Sequence, residues 1–161
     1  MIYNHVQQEI AKKIESGSND SNWKNWRWQL KHVIRSIDQF EKLTGIAFSQ
    51  KERYELERTF RKFPLSVTPY YLSLIDKDNF KNDPVFKQAF GGVQELTTVK
   101  SELTDPLSEE HDSPVEGITH RYPDRVLFHV SNICAMYCRH CTRKRKVGDV
   151  DYIPSKEQLM S

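Results

Sequence analysis

Arg125-Val-Leu-Phe-His-Val130 runs, after three intervening residues, into Cys134-Ala-Met-Tyr-Cys138-Arg-His-Cys141. The first stretch is short, β-branched, aromatic and nearly continuous in apolar character. That pattern predicts a parallel strand buried on both faces. A loop that follows a parallel strand is where a (β/α) barrel places its chemistry. Beyond the loop, Asp151-Tyr-Ile-Pro154-Ser155-Lys-Glu-Gln158 carries a helix start, with Ser155 and Gln158 spaced as a capping box. Strand, loop and helix start predict an α/β fold, residues 125–161 being the first part of a barrel. One strand cannot close a barrel, because both its edges would lack partners. The chain is therefore expected to be the N-terminal piece of a longer protein, with a partial, truncated barrel.

Upstream, residues 1–104 read as a helical region. Trp26, Leu30, Val33 and Ile34 recur at helical spacing after a start near Asp20 or Ser21. Ser36 caps a helix carrying Ile37, Phe40 and Leu43, which Gly45 stops. Ser49-Gln-Lys-Glu52 is a capping box ahead of Leu56, Phe60 and Phe63. Thr68-Pro69 and Asp83-Pro84 are cap-plus-proline starts of two short helices, the second ending near Phe90. Between about 105 and 124 the periodicity dissolves into turn and extended signals, Asp105-Pro106, Asp112-Ser-Pro114 and Tyr122-Pro-Asp124. This segment reads as an ordered connecting wrap.

The chain has 161 residues, 37% hydrophobic and 29% charged, with a formal net charge of +2. No apolar run approaches the length of a membrane span. The N-terminus lacks the basic and apolar regions of a signal peptide, so the expected compartment is the reducing cytoplasm. The three cysteines are the only ones in the chain. An odd count without a secretory signal disfavours disulfides. A zinc site with His140 as fourth ligand is disfavoured, because zinc ligands pair as dyads a dozen or more residues apart. Adjacent His140 and Cys141 could hardly reach one tetrahedral ion. Soft thiolates suit an iron–sulfur cluster. Three of them leave one iron of a four-iron cluster open to a small molecule, and S-adenosylmethionine (SAM) is the usual occupant. The spacing C-x3-C-x2-C thus reads as the cluster loop of a radical SAM enzyme.

Further segments narrow the reading. Trp23-Lys-Asn-Trp-Arg-Trp-Gln-Leu30, Thr68-Pro-Tyr-Tyr-Leu-Ser-Leu-Ile-Asp76, Asn82-Asp-Pro-Val85, Asp112-Ser-Pro114, Thr119-His-Arg-Tyr-Pro-Asp-Arg125 and Cys134 to Arg145 occur in this order. Together they resemble the lysine 2,3-aminomutase family of radical SAM enzymes. The resemblance implies three cofactors, a [4Fe-4S] cluster, SAM and pyridoxal 5′-phosphate (PLP). It implies exchange of an amino group between the α and β carbons of an amino-acid substrate. Position by position, it makes Cys134, Cys138 and Cys141 the cluster ligands and His140 a SAM contact. Arg121, Tyr122 and Arg125 match PLP-binding positions, with both arginines on the phosphate. Arg143 matches the arginine that pairs with the substrate carboxylate. A guanidinium fork suits both anions. The family also implies an electron donor such as flavodoxin or ferredoxin, and a homo-oligomer at full length.

Glu116 departs from the family, which has proline there. The lysine that binds PLP, the Gly-rich SAM segment and the acidic residues that recognise a lysine side chain are absent from these residues. Lysine is the family's default substrate, and glutamate is an alternative. A non-catalytic fragment with a metal-binding loop is the rival reading. The run Arg143-Lys-Arg-Lys146 could suggest nucleic acid. It lies against the cysteine loop, where an anionic cluster, phosphate and carboxylate are better partners, so neither nucleic acid nor membrane is expected. The tryptophans of 23–28 are expected to pack the helical region against the barrel or a second subunit. His129 is expected to be a satisfied core residue.

Overall fold

A computed structural model describes residues 4–147 together with Ser155 and Glu157. The helix start expected at 151–158 rests on residues outside these. The chain divides into two compact units, one built on residues up to Leu96 with Ala135–His140, the other on Thr97–Cys134 with the residues from Cys141 on.

The first unit is helical. Helix α1 (His5–Ile14) begins with a capping box. Asn4 accepts from the Gln7 amide at 3.0 Å, and the Gln7 side chain accepts from the Asn4 amide at 3.1 Å. Its Ile10 and Ala11 are fully buried. The helix expected from Asp20 to Ile34 is instead two, α2 (Asp20–Lys24) and α3 (Trp26–Lys31). Asn25 causes the break, since its side chain accepts from the Arg27 amide at 2.9 Å and so caps α3. After α3 the chain extends. Ile34 pairs antiparallel with Val67, through Ile34 N–H to Val67 O at 2.8 Å and Val67 N–H to Ile34 O at 3.1 Å. Val33 and Ile34 are β-branched, which favours this extended backbone over another helical turn.

The remaining helices start and stop where their caps predict. Helix α4 (Ile37–Thr44) has Ser36 at its start and Gly45 at its end. Gly45 takes φ +78°, a left-handed conformation that glycine adopts without steric penalty. Helix α5 (Gln50–Lys62) carries the Ser49/Glu52 capping box. Helices α6 (Pro69–Leu72) and α7 (Pro84–Ala89) follow Thr68 and Asp83. Asp83 is 8% exposed and accepts from the amides of Asp76, Val85 and Phe86, which satisfies a buried carboxylate.

Aromatic rings fill this unit's core. Phe40 is fully buried, edge-on to Phe90 at 4.6 Å and stacked on Phe48 at 5.5 Å. Phe86 stacks on Phe90 at 4.3 Å. Trp23 and Trp28 belong to the same core, with the Trp28 indole donating to Glu15 at 2.9 Å. These two tryptophans pack their own helical unit, and Trp26, 61% exposed, is the ring left on its surface.

The second unit contains a hairpin of β1 (Ile118–Tyr122) and β2 (Arg125–Phe128). The strand expected at 125–130 as parallel and buried on both faces is antiparallel, stops at Phe128 and is exposed along its length. The physical reason is local. Pro123-Asp124 brings β2 back onto β1 with little loop entropy, whereas a parallel partner needs a crossover of about a dozen residues or more. Ile118 faces Phe128, Thr119 faces Leu127 and Tyr122 faces Arg125, with an irregularity between Thr119 and Tyr122. The connecting segment 105–124 thus supplies β1. Among the described residues no helix is long and apolar enough to cross a membrane.

Candidate functional site

The middle of the cysteine loop belongs to the helical unit. Tyr137 N–H donates to Ser66 O at 3.1 Å, and Arg139 N–H to Gln88 O at 2.9 Å. The Arg139 guanidinium donates to the Glu95 carboxylate at 2.6 Å and to Lys87 O at 3.0 Å. Met136 packs against the core. Three residues between the cysteines of the motif are thus fastened to the last turn of α7, to Glu95 and to the chain before α6. Sequence reasoning passed over both Arg139 and Glu95. Arg139 was visible as a charge inside the motif, but Glu95 lies 44 residues away with no periodic cue to link them.

Cys138, in this segment, is half-buried, and His140 is exposed. The Tyr71 hydroxyl lies within this unit and donates to Val85 O at 2.7 Å. Burial pushes its pKa up, and negative charge at Cys138 and Asp83 adds to the effect. A cavity of about 600 Å³ in the same unit is lined by Trp23, Trp26, Leu30 and Tyr70 among others. Ala135 reaches its wall, but none of the candidate site residues does.

Cys134 is exposed and Cys141 half-buried, both in the second unit. None of the three cysteines is in a disulfide. By chemistry they suit an iron–sulfur cluster, being soft donors spaced within eight residues of one loop. Among the described residues, no three His, Cys, Asp or Glu side chains gather into a metal-sized group.

The hairpin carries the three candidate PLP residues. Tyr122 and Arg125 are register partners across it, and the Arg125 guanidinium lies 5.5 Å from the Tyr122 ring centroid. Asp124 holds Arg125 by two bonds of 3.0 Å. Arg121 donates to the Leu107 carbonyl instead. The structure therefore brings Tyr122 and Arg125 together and turns Arg121 to a different partner. All three are exposed, so their guanidinium and phenol groups are open to an anionic ligand.

Arg143 donates from Nη2 to Oε1 of Glu109 at 2.5 Å. Glu109 is almost sealed from solvent, whereas the Arg143 side chain is 39% exposed. His129 stands beside this pair. Its pKa is lowered, first by burial and then by the positive charges of Lys146 and Arg143, with Glu109 opposing. His129 has a polar partner, its Nε2 lying 3.3 Å from Thr119 Oγ1, but it is half-buried and beyond the end of β2 rather than the core strand residue expected. Glu109 had no distinguishing mark in the sequence, where it reads as one acid of an exposed Glu-Glu pair.

No protein-family model matches the chain. Individual relatives do. The L-lysine 2,3-aminomutase of Methanococcus maripaludis is 51% identical over 151 residues, which is 94% of this chain and 35% of the relative. That of Clostridium subterminale is 46% identical over 132 residues, 82% of this chain and 31% of the relative. The glutamate 2,3-aminomutase of Clostridioides difficile is 36% identical over 155 residues, 93% of this chain and 36% of the relative. The chain spans about a third of the length of the curated relatives it matches. Identity of 51% over 94% of the chain, a span that takes in the cysteine loop, leaves one conclusion: the chain belongs to the lysine 2,3-aminomutase family and is an N-terminal portion of it.

Proposed function

We propose that the chain is the N-terminal part of a radical SAM, PLP-dependent amino-acid 2,3-aminomutase that converts L-lysine to L-β-lysine. One observation carries this. A match of 151 residues in a chain of 161, at 51% identity to an L-lysine 2,3-aminomutase, takes in the C-x3-C-x2-C loop wherever the match begins. Together the cluster, SAM and PLP supply the radical chemistry that moves an amino group between neighbouring carbons. The protein's own residues supply placement. Cys134, Cys138 and Cys141 hold the cluster, and the bonds of Tyr137 and Arg139 to the helical unit fix the loop that bears them. His140, exposed beside Cys141, contacts SAM. Arg121 and Arg125 bind the PLP phosphate, with Tyr122 beside the cofactor. Arg143 offers its half-exposed guanidinium to the substrate carboxylate.

Lysine is favoured as substrate because the lysine enzymes quoted are 51% and 46% identical, against 36% for the glutamate enzyme. Glutamate is the second reading, supported by that third relative. A low-potential donor such as flavodoxin or ferredoxin and a homo-oligomeric assembly complete the proposal. All of this concerns the protein at the length of its relatives. The test is anaerobic reconstitution of that full-length protein with iron and sulfide. A cluster signal in electron paramagnetic resonance that changes on adding SAM is expected, with lysine turned over faster than glutamate. A protein that binds no cluster, or whose cluster ignores SAM, sinks the proposal.

A further inference from the structure

The pair formed by Glu109 and Arg143 is built unevenly. Glu109 has a side chain only 5% exposed, in a segment without helix or strand. Its Oε1 receives Arg143 Nη2, but its Oε2 is buried with no hydrogen-bond partner. Arg143 Nε is likewise buried and unpaired. A pair selected for stability would close as a fork, two parallel bonds between guanidinium and carboxylate. A buried carboxylate held by one bond costs free energy without the compensating contact. The Arg143 side chain as a whole is 39% exposed, so part of it stays open to solvent beyond the one bond to Glu109.

Glu109 is itself held in place. Ser113 Oγ donates to the Glu109 carbonyl at 2.5 Å. That hydroxyl then accepts from Thr119 Oγ1 at 3.4 Å, and Thr119 Oγ1 accepts from His129 Nε2 at 3.3 Å. This relay assigns the proton of a neutral His129 to Nε2. It ties the Glu109 backbone to Thr119 on β1 and to His129 just beyond the end of β2, with Thr119 only 4% exposed. A carboxylate anchored through its own main chain, gripping a guanidinium by one nitrogen, is an aiming device.

We propose that Glu109 is a positioning residue for Arg143, holding its guanidinium by Nη2 so that the remaining N–H donors face the carboxylate of the incoming amino acid. This rests on the reading of Arg143 as the substrate-carboxylate anchor. The role requires the reach of the Glu109 side chain more than its charge. Shortening it by one methylene drags the guanidinium out of line, whereas an amide of the same length keeps an acceptor at Oε1.

The test uses the full-length holoenzyme and its Glu109→Asp, Glu109→Gln and Arg143→Lys variants. Steady-state kinetics and calorimetric titration with L-lysine give KM, kcat and Kd. Glu109→Asp is expected to raise KM and Kd about tenfold with kcat changed less than about twofold, the pattern of lost uniform binding. Glu109→Gln is expected to stay within about threefold of the wild type in all three constants. Wild-type binding in Glu109→Asp, with only a lowered melting temperature, overturns the proposal in favour of a structural pair. A loss in Glu109→Gln greater than in Glu109→Asp overturns it in favour of charge, and tighter binding in either variant makes Glu109 a competitor. Because Glu109→Gln is isosteric, its result decides even if Glu109→Asp does not fold. Arg143→Lys separates the two layers. Unchanged binding there refutes the carboxylate role of Arg143 itself, while weakened binding there beside wild-type Glu109→Asp refutes positioning alone.

Discussion

Glu52 serves two neighbours with one carboxylate. It accepts from the Ser49 amide at 2.8 Å and from Lys81 Nζ at 2.5 Å. The bond from Lys81, then those from Ser49, pull its pKa down from 4.5 to about 2. A carboxylate depressed on folding adds stability above its unfolded pKa and loses it as pH falls through the folded one. Its side chain is 32% exposed and screened, so the contribution is modest. Glu52→Gln should therefore cost about 1 kcal/mol or less at pH 7. That difference should fade between about pH 4.5 and pH 2 in urea titrations of both proteins. A difference that grows on acidification would reverse the assignment. Phe40 makes the larger prediction at this scale. It is fully buried among Phe48, Phe86 and Phe90, so Phe40→Ala should cost about 3–5 kcal/mol by chemical denaturation, the range for emptying an aromatic site. On the proposed function, Cys138→Ala in the full-length protein should abolish turnover by removing a proposed cluster ligand, and normal turnover in that variant would contradict that role.

At the scale of elements, the cysteine loop depends on its attachment to the helical unit. Glu95→Ala removes the carboxylate that holds Arg139, while the backbone bonds of Tyr137 and Arg139 and the bond to the Lys87 carbonyl remain. Faster amide exchange at Tyr137 and Arg139 is expected, with lower iron retention after reconstitution and an unchanged core. Equal exchange rates would show that the ion pair does nothing to order the loop. How legible each element was follows from where its determinants lie. Ser36, Ser49, Thr68, Asp83 and Gly45 act within a few residues of themselves, and their helices begin and end as their caps predict. Asn25 acts just as locally, but the apolar spacing running through it masked its cap, so one expected helix became two. The pairing of β2 depends on a partner strand, and an apolar run does not state its partner. The cysteines stand out by spacing alone as a candidate ligand set. Glu95 and Glu109 do not stand out, because each acquires its role from an arginine more than thirty residues away.

For the molecule as a whole, the two units differ in how they are stabilised. The helical unit buries interlocked phenylalanine and tryptophan rings and ties Ile34 to Val67 inside that core. The hairpin and the chain just after it leave Val126, Leu127, Phe128, Val130 and Ile133 at 39–52% exposure. A two-stranded sheet is marginal in water without a covering layer, and a run of exposed apolar side chains marks a surface that gains by being covered. The curated relatives are about three times longer than the stretch they share with this chain, so they hold further chain from which that layer can come. Hydrogen exchange compared between the 161-residue chain and the full-length protein tests this. In the short chain, the amides of Ile34 and Val67 should exchange far more slowly than those of Thr119 and Leu127, because opening the core costs more than opening an exposed hairpin. In the full-length protein, protection at Thr119 and Leu127 should rise by about tenfold or more while Ile34 and Val67 change little. Equal hairpin protection in the two forms would mean that β1 and β2 reach their final stability without a covering layer.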